Sequence, residues 1–351
     1  MTQTASQIPV VEPPVQPGAA PGRSRRGPTV LSLHTAERFG LFVLFALVIL
    51  VFTILKGDTF ATTANWRNIA TSQSVLAVIG LALIFPLVGG RFDVSVGNNM
   101  GLCAVLVAAL MGNHGWALVP AIVATVAVGS LIGVANGVIV TYLGVNSIIA
   151  TIGTGTIMGG LVQAYTKGIP INNGLSPTLT TLSAKNAAGI PDLFVIMLII
   201  SVIAWFVLTQ TPYGRRLLAT GSNQSAARLT GMNVRRTILL SFVLSGCLAG
   251  VAGVLQIAAQ GSGDPGAGGL PTILPALAAV FLGATTWQPG KYNVPGTIVG
   301  LFFVGTTISG LVLLGVEPWV TDVFNGAAVV VAIAISAQLR RRRTGTLEIG
   351  T

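Results

Sequence analysis

Polar and charged positions along this chain mark the ends of long apolar runs rather than alternating within them. Stretches poor in charge and of helix length recur at about 39–55, 72–90, 94–112, 117–142, 147–165, 193–210, 237–259, 271–286, 296–315 and 323–338. The segment 94–166 contains no Asp, Glu, Lys or Arg, and it divides only at Gly112-Asn113-His114-Gly115 and Gly144-Val145-Asn146, where Gly and Asn favour turns. Membrane β-strands would alternate over roughly ten residues, whereas these runs are continuous, so the pattern predicts helices. The fold class that follows is all-α, a polytopic membrane protein with about ten transmembrane helices.

Composition agrees. Of 351 residues 52% are hydrophobic and only 8% charged, and the mean hydropathy is +0.81, against roughly 25% charged residues in soluble domains. In lipid every backbone polar group must be satisfied within the protein, which restricts the spans to helices or closed barrels. Residues 1–30, rich in Pro, Gly, Gln and Ser, read as a disordered cytoplasmic tail. Residues 31–340 form the membrane domain, and residues 341–351 a basic cytoplasmic C-terminal tail. No apolar core follows a short basic stretch near Met1 as in a secretory signal, so the run from Phe39 reads as a retained span.

The net charge of +10 would raise nucleic acid as a partner in a soluble chain. Here the basic residues sit between spans and at the ends, without interleaved aromatics on which bases could stack, so nucleic acid is excluded and the charges read as topology determinants. With ten spans both termini lie on one side. If that side is the cytoplasm, it holds Arg23, Arg25, Arg26, Arg38, Arg91, Arg215, Arg216, Arg228, Arg235, Arg236, Lys291 and Arg340 to Arg343, leaving Lys56, Arg67, Lys167 and Lys185 outside. Cys103 and Cys247 lie in apolar runs without ligand-type neighbours, and His34 and His114 stand apart, so no metal site and no bound cofactor is expected.

Displaced against itself by 171 residues, the chain pairs Gly90 with Gly261, Asp93 with Asp264, Gly97 with Gly268, Gly112 with Gly283, Trp116 with Trp287, Gly129 with Gly300, and Leu143-Gly144-Val145 with Leu314-Gly315-Val316. The halves are about 72–165 and 237–338. Because the offset maps each span onto the fifth after it, the two halves would cross the membrane in opposite directions, as an inverted repeat. The alternative is duplicated packing glycines without functional meaning.

Two segments carry candidate chemistry. Gly89-Gly90-Arg91-Phe92-Asp93-Val94-Ser95-Val96-Gly97-Asn98-Asn99 joins two spans through the glycines Gly89, Gly90 and Gly97, with Asp93, Ser95, Asn98 and Asn99 able to bond the backbone groups a helix break leaves open. Polar groups at that depth are candidates for a transport path or a gate; the alternative is a structural cap on the next helix. The second segment is the basic loop 211–236. Ser222 or Asn223 can cap a short helix that Gly231 ends, with Ala226, Ala227 and Leu229 as a small-residue surface beside Arg228. Such a helix could dock into a groove on a partner or lie on membrane lipid with its arginines against anionic headgroups.

Across about residues 40–340 the chain resembles permeases of ribose/xylose/arabinose-type sugar importers, members of the ATP-binding-cassette superfamily. The resemblance is carried by Gly89 to Gly97, similar to that family's Gly-Gly-Ile-Asp-Leu-Ser-Val-Gly, and by Tyr213-Gly214-Arg215 through Ala226-Ala227-Arg228-Leu229-Thr230-Gly231-Met232-Asn233-Val234. Ile149 to Thr154 and Ala278 to Thr285 add to it. Arg91 departs from the pattern where an apolar residue is usual, and Asn98-Asn99 where small residues are.

The resemblance implies a non-catalytic subunit of the bacterial inner membrane with about ten helices. It would pair with a second permease, identical or paralogous, with an ATPase that holds ATP and Mg, and with a periplasmic sugar-binding protein. By the same resemblance, 222–231 would be the coupling helix seated on the ATPase. The chain has no G-x-x-x-x-G-K-[ST] loop to cradle phosphate, so energy must come from elsewhere. A membrane enzyme would need an acid and base, a metal cluster or an activated nucleophile in the spans, and the expected spans hold no Lys, Glu or His. An ion- or proton-coupled secondary transporter would need intramembrane carboxylates, of which only Asp93 comes near. A reporter fused after Thr351 is expected to be active only in the cytoplasm; activity on the outer face would overturn the topology.

Overall fold

The computed structural model describes residues 29–183, 186–187 and 189–344, with side chains described from Phe39 to Ser183 and for most of the remainder. The terminal tails expected at 1–30 and 341–351 fall mostly outside these residues, as do Arg23, Arg25, Arg26 and Lys185. In chain order the helices are α1 Thr29–Phe60, α2 Thr63–Val88, α3 Val96–Gly112, α4 Leu118–Thr141, α5 Ser147–Thr166 and α6 Pro177–Thr180. After a two-stranded antiparallel hairpin, β1 Asn186–Ala187 and β2 Ile190–Pro191, come α7 Asp192–Gln210, α8 Pro212–Ser222, α9 Gln224–Leu229, α10 Val234–Gln260, α11 Leu270–Gly283, α12 Val294–Leu313 and α13 Pro318–Thr344.

Among the described residues eight helices are long and apolar enough to cross a membrane: α1 (from Phe39), α2, α4, α5, α7, α10, α12 and α13 (to Ile335). The remaining two of the ten expected spans are the shorter apolar helices α3 and α11, of 17 and 14 residues. At 1.5 Å per residue they reach about 25 and 21 Å, short of a hydrocarbon core of about 30 Å. Each is preceded by non-helical chain, 89–95 before α3 and 261–269 before α11.

Several boundaries differ from expectation. Helix α1 runs ten residues ahead of Phe39 and on to Phe60, departing from helical angles at Lys56 (φ −144°, ψ 43°). Helix α2 begins at Thr63, not 72, because Thr62 caps it by accepting from the Asn65 N–H, and Arg67 is carried on its exposed first turns. Helix α13 starts at Pro318, which brings the exposed Asp322 inside a span expected to begin at 323. The expectation that only Asp93 comes near the spans therefore needs correcting, since hydropathy trims polar end turns that backbone geometry retains.

Helix α10 occupies the centre, packed on α4, α2 and α3; α11 packs on α12 and α13, and α2 on α12 and α7. Most of the apolar length of α2 and α10 is buried, 72% and 61%, whereas α1 and α13 are each 11% buried and present their flanks outward. The α4–α10 crossing brings backbones into contact through Gly129, Gly133, Gly246 and Gly250. A Cβ on Gly246 would stand 2.3 Å from the Gly129 carbonyl oxygen, and one on Gly133 would stand 2.3 Å from that of Phe242. Without a hydrophobic force between helices in lipid, such small-residue crossings supply the packing.

The 171-residue offset also superposes helix boundaries. Thr63 falls on Val234, the first residues of α2 and α10; Gly112 on Gly283, the last of α3 and α11; Ser147 on Pro318, the first of α5 and α13. Gly90 and Gly261 both take left-handed angles (φ 74° and 68°), as do Gly144 and Gly315 (72° and 78°). Gly97 and Gly268, paired by the offset, touch each other: a Cβ on Gly268 would lie 3.0 Å from the Gly97 carbonyl oxygen.

Gly246→Ala is expected to destabilise the protein by about 1–3 kcal/mol, the usual cost of overpacking, while Gly153→Ala, with nothing within 4 Å of the new methyl, should be neutral or slightly stabilising. Thermal unfolding in detergent measures both, and equal melting temperatures would remove the α4–α10 crossing from its central place.

Candidate functional site

Helix α2 ends at Val88 and is capped by Gly89, whose N–H reaches the Phe85 carbonyl (3.3 Å); Gly90 then turns left-handed and Arg91 N–H returns to the Pro86 carbonyl (2.9 Å). Pro86 itself has no N–H to donate, which weakens the last turn where the chain departs. The segment from Arg91 to Asp93 runs without helix or strand partners. Two N–H groups of this stretch and the residue after it are taken by α5: Phe92 N–H donates to Ser147 Oγ (3.2 Å) and Val94 N–H to Thr151 Oγ1 (3.0 Å).

Asp93 is buried at 3% exposure. Its Oδ1 accepts from the Ser95 N–H (3.1 Å) and the Ser95 hydroxyl (2.5 Å), and its Oδ2 from the Ser245 hydroxyl on α10 (2.9 Å). Asn136 on α4 donates through Nδ2 to Ser95 Oγ (2.8 Å). The carboxylate thus joins the entry of α3 to α10 directly and to α4 through Ser95. Asn136 Oδ1 has no hydrogen-bond partner among the described residues. One turn on, Asn99 Nδ2 donates to the Gly129 carbonyl (3.2 Å), and its Oδ1 lies 3.4 Å from the Cys103 sulfur.

The candidate residues therefore divide by what they touch. Asp93, Ser95 and Asn99 are buried and bonded within the protein; Asn98 is half-buried between Gly155 and Gly159 of α5 and Gly269 of the second break. Gly97 faces that break too, where a Cβ would meet the Gly269 carbonyl oxygen at 2.8 Å. Sequence reasoning missed Ser245, Asn136, Ser147 and Thr151, the partners that hold the segment. Ser147 and Thr151 could have been found: four residues of helix rise about 6 Å and two of extended chain about 6.6 Å, so hydroxyls at i and i+4 match alternate N–H groups.

The second break repeats part of this geometry. Asp264 Oδ1 accepts from the Gly266 N–H (2.8 Å), as Asp93 does from Ser95 two residues on. Asp264 is half-buried, without the link to a neighbouring helix that Ser245 gives Asp93.

In the loop 211–236, Thr211 caps α8 by accepting from the Gly214 N–H (3.1 Å), Asn223 caps α9 by accepting from Ala226 N–H (2.9 Å), and Gly231 follows at φ 79°. Of the two caps considered for the short helix, Asn223 is the one used; Ser222 belongs to the end of α8, where its hydroxyl donates to the Leu218 carbonyl (2.9 Å). Leu229 is 90% exposed, with Ala226 and Arg228 also outward. Ala227 points the other way, at 3% exposure, against Val140, Val234 and Ile238. Its place in the small-residue surface is corrected accordingly: the inward position of α9 is what holds the short helix to the body. Tyr213, at the start of α8, is half-buried, and burial pushes its phenol up from the usual range.

The break and the loop are neighbours. Gly221 of α8 lies so close to the end of α2 that a Cβ there would meet the Val88 carbonyl oxygen at 1.8 Å; a Cβ on Gly89 would meet Leu217 at 3.0 Å; Arg91 Nη2 lies 3.4 Å from Gln224 Oε1. Elsewhere, a cavity of about 310 Å³ between α3, α4 and α5 is lined by Leu102, Val105, Leu106, Val128 and Leu161, with His114 and Tyr165 as its polar members. It includes none of the residues of either segment.

A profile described as "Branched-chain amino acid transport system / permease component" matches residues 65–333. The chain belongs to that permease family. Among curated relatives, the D-allose transport system permease protein AlsC of Escherichia coli (strain K12) is 31% identical over 300 residues, 85% of this chain and 91% of that protein. The ribose import permease protein RbsC of Bacillus subtilis (strain 168) is 32% identical over 301 residues, 85% and 92%. The autoinducer 2 import system permease protein LsrC of Escherichia coli O157:H7 is 30% identical over 298 residues, 84% and 86%. No solved structure matches. Both candidate segments of this permease, 89–99 and 211–236, lie inside the matched region.

Asp93→Ala would leave the Ser95 N–H and two buried hydroxyls without an acceptor, and is expected to cost about 2–3 kcal/mol, whereas Ser245→Ala removes one donor and should cost about 1 kcal/mol. Unfolding of the detergent-solubilised permease measures the order, which would be reversed or lost if Asp93 were not bonded as described.

Proposed function

We propose that this permease is the membrane-spanning, non-catalytic subunit of an ATP-binding-cassette importer that carries a monosaccharide or related polyol across the bacterial inner membrane. The observation that carries the reading is the run of relatives at 30–32% identity along about 85% of the chain, two of which are named for the sugars D-allose and ribose. Import of this class places ATP and Mg on a separate ATPase, and it favours the reading over an ion- or proton-coupled secondary transporter. The remaining partners are a second permease, identical or paralogous, and a periplasmic sugar-binding protein that delivers the solute. A carrier fed this way needs no tight sugar pocket of its own.

Alternating access is supported by the matched boundaries of α2 with α10, α3 with α11 and α5 with α13, and by the two left-handed glycine pairs. We read these as an inverted repeat, in which two opposed halves exchange inward-open and outward-open arrangements. We take the two short helices at corresponding positions, each entered through a break that begins on a left-handed turn of glycine, as the region of the transport path, with Asp93 and Ser95 bracing the first break and Asn98 set between α5 and the second. Gly97 and Gly268, equivalent and in contact, lie where a pseudo-twofold axis would pass.

The ATPase would seat on α9. Leu229, 90% exposed on a six-residue helix, is an apolar anchor among Arg215, Arg216, Arg228, Arg235 and Arg236, and the loop 211–236 contains no Asp or Glu. A uniformly basic face of this kind lies on the cytoplasmic side by charge bias, and it suits an acidic-rimmed groove. Burying one Leu side chain stabilises by about 1.5–3 kcal/mol, so Leu229→Asp is expected to weaken assembly with the ATPase by roughly ten-fold or more. In proteoliposomes holding permease, ATPase and binding protein, uptake of labelled ribose or allose should require ATP and fail with Leu229→Asp. Uptake that persists without the ATPase would overturn the scheme.

A further inference from the structure

The two segments singled out separately by sequence, the break 89–95 and the loop 211–236, are interlocked in space. The interlock is made of backbone. Gly221 stands against Val88 and Gly89 with no room for a methyl group, since an added Cβ would come within 1.8 Å of the Val88 oxygen, 2.9 Å of the Val88 carbonyl carbon and 3.2 Å of the Gly89 carbonyl carbon. Gly90 faces the same residue, its added Cβ 3.7 Å from Gly221 Cα. Leu217, fully buried one turn earlier, fills the space beside Gly89. On the far side of the turn Arg91 approaches Gln224, the first residue of α9.

Beyond the turn the chain is fastened without slack. Phe92 and Val94 are bonded to Ser147 and Thr151 of α5, and Asp93 to Ser245 of α10. A displacement of α8 and α9 therefore cannot be absorbed at the turn, because tightly packed elements move as units or jump between discrete arrangements rather than deform continuously.

We propose that α8, α9 and the Val88–Arg91 turn form one rigid lever, with Gly221 as its contact point, that delivers ATPase movement directly to the break before α3. Gly221, Arg91 and Gln224 are positioning residues in this scheme; none of them touches solute. The proposal rests on the reading of the loop as the ATPase seat.

The test uses the whole transporter in proteoliposomes, with Cys103 and Cys247 first replaced by Ala. In one arm Arg91→Cys and Gln224→Cys are joined by a bifunctional thiol reagent; in the other Gly221→Ala forces the contact apart. A rigid lever predicts that cross-linked transporter keeps nearly the uptake of the same protein before linking. It also predicts that Gly221→Ala retains ATP hydrolysis while solute moved per ATP falls about ten-fold, within the roughly 5- to 150-fold range of coupling between distant sites. Cross-linking that stops uptake, or an unchanged ratio in Gly221→Ala, would overturn it. Should Gly221→Ala fail to accumulate, the cross-linking arm decides alone. Absence of any ATP-driven sugar uptake in the unmodified transporter would instead defeat the functional reading and leave the lever's mechanics aside.

Discussion

A non-helical segment inside an apolar bundle has nowhere to send its backbone N–H groups except to neighbouring side chains, and the arrangement of this permease follows from how 89–95 meets that demand. In water the exposed groups would be hydrated; in hydrocarbon each one left open costs several kcal/mol. Ser147 and Thr151 take two of them from α5, and Asp93 takes that of Ser95 while also binding the hydroxyls of Ser95 and Ser245. These bonds fix α3, α5 and α10 relative to one another, and Asn136 draws in α4. A segment intended to open the helix ends up specifying which four helices surround it.

Glycine makes this geometry reachable. Hydrogen bonds of about 3 Å between a break and flanking helices require that those helices come close, and α4 and α10 do so along Gly129, Gly133, Gly246 and Gly250. The same logic holds at the break itself, where Gly97 and Gly101 admit the backbone of Ala267 and Gly268. Side chains at these places would hold the helices apart by more than a hydrogen bond can span. Glycine thus serves two tasks around the breaks: left-handed turns at Gly90, Gly144, Gly261 and Gly315, and close backbone approach at Gly97, Gly101, Gly129, Gly133, Gly246 and Gly250.

The helices and the place of the break were legible in the sequence because hydropathy and glycine-polar clusters are local signals. All ten expected spans have a helix in the structure, although α3 and α11 are too short to cross alone. Of the partners of the break, Ser147 and Thr151 left only their i, i+4 spacing as a signal, and Ser245 and Asn136 left none. Ser245 lies 152 positions from Asp93, and a hydroxyl in an apolar helix ordinarily bonds the carbonyl a turn back, as Thr151 also does to Ser147 (2.7 Å). Apart from a spacing such as that of Ser147 and Thr151, nothing local separates a Ser or Thr that serves its own helix from one that serves a neighbour. The direction of Ala227 escaped for a related reason: on a two-turn helix, composition cannot tell the face toward the body from the face toward a partner.

The asymmetry between the two breaks bears on mechanism. Both have a left-handed glycine and an aspartate accepting from the N–H two residues on, yet Asp93 is buried and tied to α10, while Asp264 is half-buried and bonds only within its own loop among the hydrogen bonds described. Two halves that were identical in bonding would favour neither the inward-open nor the outward-open arrangement. If the two halves exchange as proposed, bracing one break harder than the other would bias the pair toward one arrangement, and external work would be needed to populate the opposite one. The firmly braced break is also the one in contact with the basic loop through Gly221. Work applied at that loop, if it is the ATPase seat proposed above, would act on the more firmly braced of the two breaks.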